Sequence, residues 1–209
     1  MHDFYQEQAA DYFAATARID PTSFLKPLAE RLPPGAAILD VGCGSGRDLK
    51  WFKERGFAAT GFEQAPELAR RAREHSGCPV IEGDFCTYDF SRLSYDAVIL
   101  VGALVHLPES ALAPTLRRIL PALKPDGLLY LTLKEGRGHQ PADDGRTFIL
   151  WPENRLRQIF ADLELTILDF SRNTSKLRAS DTWLGFILEI QKRTTSFQEN
   201  KWPGSQNSI

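Results

Sequence analysis

Apolar residues along this chain gather into short continuous runs, and stretches of helical periodicity separate them. Ala36-Ala37-Ile38-Leu39 reads as a buried strand, followed by strands at Phe57–Glu63, Pro79–Glu82, Tyr95–Val101 and Leu123–Leu133. Helices are predicted between them over Asp48–Arg55, Glu67–His75 and Glu109–Leu120, the second opened by Pro66, where a missing N–H costs nothing. Upstream, Tyr5, Ala9, Tyr12 and Phe13 fall at helical spacing within one predicted helix, Phe4–Ala17. Asp20-Pro21-Thr22 caps a second helix, which Pro33-Pro34-Gly35 ends. Downstream, Pro152–Phe160 reads as a helix, and Leu165–Phe170 and Thr182–Gln191 as sixth and seventh strands. Such alternation predicts an α/β fold: a mostly parallel sheet with helices on both faces. Glu135–Leu150 is polar and glycine-containing and is expected to be a long loop leaving the carboxyl edge of the sheet.

Length adds a bound. A chain of 209 residues accommodates one α/β domain, assigned to residues 1–192 with residues 1–34 as amino-terminal helices. Residues 193–209 are polar and aperiodic and are expected to form a disordered tail. Apolar content of 43% and charged content of 25% are those of an ordinary globular protein. No apolar run is long enough to span a bilayer, and Met1–Tyr5 lacks a signal-peptide pattern, so a cytoplasmic setting without membrane contact is expected. A net charge of −2 argues against a nucleic-acid partner, and Arg70-Arg71-Ala72-Arg73 and Arg117-Arg118 read as solvated helix faces. Cys43, Cys78 and Cys86 form no Cys-x-x-Cys pair, so neither a disulfide framework nor a metal site is indicated.

The first strand runs into Asp40-Val-Gly42-Cys43-Gly44-Ser-Gly46. Three glycines at alternate positions permit positive φ and bring bare backbone against a ligand at the start of the next helix. The spacing departs from the Gly-x-Gly-x-x-Gly of dinucleotide folds, and no Gly-Lys-Ser/Thr follows, which disfavours a nicotinamide enzyme or a nucleoside triphosphatase. Acids then end the second and third strands, Glu63 seventeen residues past Gly46 and Asp84 before Phe85. That edge is where open α/β sheets bind ligands.

This order of elements resembles the class I S-adenosylmethionine-dependent methyltransferases over about Phe4–Ile190, within them a bacterial small-molecule-type group. The resemblance implies a Rossmann-like seven-stranded sheet of order 3-2-1-4-5-7-6, the last strand antiparallel, with an amino-terminal helical lid. It implies S-adenosylmethionine as cofactor, held by Asp40, Gly42, Cys43, Gly44 and Gly46. Glu63 would then accept from the ribose hydroxyls with Gln64 beside it, Asp84 and Phe85 would meet the adenine, and Val101 would close the end of strand four. Cys43 needs only to be small there. Tyr12 and Arg18 are candidates to close over the cofactor, Arg18 on its carboxylate, with core packing and a surface ion pair as their alternatives.

Methyl transfer to a small-molecule O, N or S acceptor is the activity so implied, in a monomer or homodimer. Positioning supplies much of such a reaction, and a base is needed only where the acceptor must lose a proton. His106, just past strand four, is the candidate base, with ordering of the loop as its other reading. Tyr5, Lys134, Arg146 and Trp183 are candidate acceptor contacts, and each has an ordinary packing or surface role open to it. Val101-Gly102-Ala103-Leu104 lacks the Asn/Asp-Pro-Pro-Tyr/Phe signature of nucleobase methyltransferases, and too few thiols are present for arsenic methylation. A non-catalytic protein that keeps the fold and binds the cofactor or a partner is the competing reading.

Overall fold

Strand residues of this protein alternate between two separate cores. In a computed structural model, which describes residues 2–191, β1 (Ala37–Val41), β4 (Tyr95–Val101) and β5 (Leu123–Lys134) form the centre of the sheet. Side chains alternate across a strand, so Leu39, Val41, Val98, Leu100, Leu129 and Leu131 point one way and Ile38, Ala97, Ile99, Leu128 and Tyr130 the other. Helices α6 (Glu109–Ile119) and α7 (Glu153–Asp162) cover the first face through Leu112, Leu116, Leu156 and Phe160. Helices α3 (Thr22–Ala29), α4 (Arg47–Lys53) and α5 (Pro66–Ser76) cover the second through Leu25, Leu28, Leu49, Phe52, Ala69 and Ala72. Burial on both faces explains why the central strands read as unbroken apolar runs.

With β2 (Ala58–Glu63), β3 (Val80–Glu82), β8 (Leu165–Thr174) and β9 (Thr182–Ile190), the seven-stranded sheet has the order β3-β2-β1-β4-β5-β9-β8. The first five strands are parallel, and β9 runs antiparallel between β5 and β8, as expected for the seventh strand. This is the fold anticipated, in the same strand order.

Three expectations need correction or completion. The amino-terminal helix breaks into α1 (His2–Glu7) and α2 (Ala9–Thr16), because Gln8 leaves helical geometry and offers no side-chain cap. Glu135–Leu150 is no open loop: β6 (Gly138–Pro141) and β7 (Thr147–Leu150) pair as a hairpin, turning at Gly145 with φ of +81°. Backbone bonds from Ile149 N–H to the Val105 carbonyl and from Trp151 N–H to the Lys134 carbonyl seal that hairpin to the sheet edge. The proposed tail, residues 193–209, lies outside the described residues. No helix among the described residues is long and apolar enough to cross a membrane.

Candidate functional site

The loop between β1 and α4 carries left-handed backbone at Gly42, Gly44 and Gly46, with φ of +77°, +52° and +73°. A Cβ at Gly42 would lie 2.6 Å from the Ala103 Cβ, and one at Gly46 would lie 2.9 Å from the Ala72 backbone, so these two glycines are demanded by packing. At Gly44 a Cβ would meet only the Tyr12 ring, at 3.0 Å. Gly44 is thus the position where bare main chain faces α2.

Acids surround this loop. Glu63, at the carboxyl end of β2, accepts from Gly44 N–H through Oε2 at 2.9 Å and from the N–H groups of Gln64 and Ala65 through Oε1 at 2.9 and 3.0 Å. Asp40 is 2% exposed, and its Oδ2 lacks a hydrogen-bond partner. Burial, followed by the nearby Asp48 carboxylate, pushes the Asp40 carboxyl well above the usual range. An orphaned acceptor beside a cradle is the chemistry that an amino-acid ammonium group, as carried by S-adenosylmethionine, would complete. Burial likewise pushes the Cys43 thiol up, leaving it an inert packing group. Past β3, Asp84 Oδ1 accepts from Cys86 N–H at 2.8 Å, and Phe85 is half-buried against the α6–α7 core.

Beside the loop opens a cavity of about 840 Å³, lined by Tyr5 from α1 and Tyr12 from α2, Val101 and Gly102 at the end of β4, Phe148 from β7 and Trp183 from β9. Its size suits a small organic molecule. Three of the cations on its wall, Lys134, Arg146 and Arg47, already have carboxylate partners. Lys134 is 4% exposed and donates to Asp181 at 2.6 Å, with its ammonium 3.8 Å above the Phe148 ring. Arg146 is held by Asp144 at 2.7 Å, and Arg47 by Asp48 at 2.7 and 2.9 Å. Lys134 is therefore no free anion-binding group, because burial would leave it unstable without its carboxylate.

His106 is half-buried and off the cavity wall. Its Nδ1 lies 2.7 Å from the Thr147 carbonyl, which can only accept, so Nδ1 carries the proton. Nε2 is then bare and accepts from the Tyr5 hydroxyl at 2.8 Å. Burial lowers the pKa of His106 below the ordinary imidazole value, outweighing the Thr147 bond. Arg18 is exposed and absent from the cavity wall, since it lies beyond the end of α2, whose buried positions are Ala9 and Thr16.

Several lining groups escaped the sequence reading. Phe148 sits in the apolar run Phe148-Ile149-Leu150-Trp151, a strand signal masked by the polar residues before it. Tyr130, within the predicted strand Leu123–Leu133, lines the cavity, and its hydroxyl lacks a partner. Residues 173–178, also on the wall, follow a sixth strand that extends to Thr174.

Fold and cradle together define the class: this is the architecture of class I S-adenosylmethionine-dependent methyltransferases. Residues 38–127 match the family model described as a methyltransferase domain. It is 35% identical over 108 residues to the 2-methyl-6-phytyl-1,4-hydroquinone methyltransferase of Synechocystis sp., a match covering 49% of this chain and 33% of that protein. Identity to the ubiquinone biosynthesis O-methyltransferase of Xanthomonas campestris pv. campestris is 34% over 105 residues, covering 47% and 43%. The chain therefore spans less than half the length of these relatives. Among solved structures, the 1,6-didemethyltoxoflavin-N1-methyltransferase of Burkholderia thailandensis superposes with a TM-score of 0.70 at 22% identity, over 91% of this chain and 85% of that one. That structure holds 1,6-didemethyltoxoflavin and S-adenosylhomocysteine.

Proposed function

We propose that this protein transfers a methyl group from S-adenosylmethionine to a small-molecule O, N or S acceptor bound in the cavity. The observation that carries the reading is the left-handed glycine loop beside the orphaned Asp40 carboxyl, opening next to an 840 Å³ chamber. Bound there, the cofactor supplies an electrophilic methyl on a sulfonium.

The chain's own residues divide the remaining work. Backbone at Gly42, Cys43, Gly44 and Gly46, with Asp40, holds the amino-acid end. Glu63, with Gln64 beside it, takes the ribose hydroxyls by turning oxygens now bonded to backbone N–H groups. Asp84 and Phe85 border the base, and Val101 closes the inner end. Tyr5, Tyr12, Arg146 and Trp183 bound the acceptor and exclude water, a contribution of orientation worth about 7–11 kcal/mol in favourable cases. His106 takes the proton where the acceptor must lose one. Relatives named as methyltransferases of a hydroquinone and of ubiquinone biosynthesis support a small organic acceptor. A cytoplasmic bacterial protein, monomeric or homodimeric, fits this reading.

The test follows labelled methyl groups from S-adenosylmethionine into a panel of phenols, amines and thiols. Transfer to at least one class is expected. Tight cofactor binding with no transfer to any class would instead point to a non-catalytic binding protein.

A further inference from the structure

Among the described residues, the cavity reaches His106 through another side chain. Tyr5 lines the cavity and His106 does not, while the Tyr5 hydroxyl and His106 Nε2 are 2.8 Å apart. A tyrosine hydroxyl has one proton and two lone pairs. Here the proton goes to Nε2, and one lone pair accepts from Arg146 Nη1 at 3.2 Å. The second lone pair has no hydrogen-bond partner among the described residues. One acceptor position is therefore left over on a residue of the chamber wall, and it calls for a ligand that donates a hydrogen bond.

From this geometry, and resting on the methyltransferase reading above, we infer that Tyr5 is the residue that touches the acceptor, that His106 takes the proton through it, and that the acceptor is a phenolic hydroxyl. The acceptor proton passes to the Tyr5 oxygen as the Tyr5 proton moves to Nε2. The acceptor oxygen then bonds to the methyl carbon, the carbon–sulfur pair stays on sulfur as a neutral thioether, and His106 is left as imidazolium. The Thr147 carbonyl accepts from Nδ1–H in both states and fixes the ring. Three features narrow the acceptor to a phenol. A buried imidazole is a weak base and needs an acidic O–H. Asp144 and Asp181 are occupied by Arg146 and Lys134, leaving only the exposed Glu7 and Asp11 on the wall to meet a cationic amine. Phe4, Phe148 and Trp183 offer flat apolar walls to a ring.

The first test needs no turnover. Nitrogen resonances of the His106 imidazole are followed by NMR in the full-length protein as 4-nitrophenol is added. Displacement of Nε2 toward its protonated form is expected in the wild type and is expected to vanish in Tyr5→Phe. The same displacement in Tyr5→Phe, or none in the wild type, overturns the relay. The second test compares methyl transfer to 4-methylphenol and to 4-nitrophenol at mildly alkaline pH, where only the latter is already ionised. Tyr5→Phe and His106→Asn should each slow 4-methylphenol about a hundredfold, with the double variant no slower, and should slow 4-nitrophenol at least about tenfold less. Equal losses on both phenols, or transfer only to amines or thiols, overturns the inference. Calorimetry with S-adenosylmethionine separates the two levels: failure to bind sinks the methyltransferase reading, whereas binding with an unresponsive imidazole sinks only the relay.

Discussion

Lys134 and Asp181 form an ion pair whose side chains are 5% and 6% exposed, at the wall of the cavity. Removing one partner leaves a buried charge, so Asp181→Asn is expected to cost about 3–5 kcal/mol in urea unfolding. Although burial raises the Asp181 pKa, the hydrogen bonds from Lys134 and Gln140 outweigh it and hold the carboxyl below its ordinary value. A carboxylate whose pKa is depressed by folding stabilises the native state above its unfolded pKa, and that contribution fades as pH falls through the folded value. Acid unfolding of the wild type should therefore show a component below the usual carboxylate range that is missing in Asp181→Asn. His106 gives the second residue-scale prediction. Its pKa lies below the ordinary imidazole value of 6.5, so it stays neutral and accepting into mildly acid solution. The acid limb of the pH–rate profile is expected below 6.5, with transfer lost as the imidazole protonates. A limb above that value would contradict the buried, neutral imidazole.

At the scale of elements, α1 and α2 are set apart from the sheet. They share only the small cluster of Ala9, Ala65 and Leu68, edged by Tyr5 and Tyr12, whereas the two large cores belong to the strands and to α3–α7. Deleting residues 1–19 should leave the circular-dichroism spectrum of the α/β core largely intact while lowering methyl transfer about a hundredfold more than cofactor binding, if α1 and α2 position the acceptor and exclude water as proposed. Loss of the whole α/β signal would mean that the lid is part of the folding core. The strands of the main sheet were legible in the sequence because burial on both faces writes continuous apolar runs. The β6–β7 hairpin was not, because its first strand, Gly138–Pro141, carries no large apolar residue and its register comes from backbone pairing. The break at Gln8 was hidden for a related reason: apolar spacing continues across it while the backbone does not.

For the molecule as a whole, the parallel strands bring the Asp40 loop, Glu63 and Asp84 to one edge, although they are distant in sequence. The glycine spacing and the strand-end acids made that edge readable from the chain alone. The charge pairing was not readable, since Lys134 meets Asp181 only through the pairing of β5 with β9, and Tyr5 meets His106 and Arg146 only through the docking of the lid. A cofactor that binds only the native state raises its stability, by about 2.7 kcal/mol at a concentration a hundredfold above its dissociation constant. The most direct test is calorimetry of S-adenosylmethionine with the wild type and with Gly44→Val, whose new side chain would point at the Tyr12 ring from a backbone of positive φ. The account predicts saturable binding to the wild type and none to a variant that keeps the wild-type circular-dichroism spectrum. No binding to the wild type, or equal affinity in the two proteins, would contradict it.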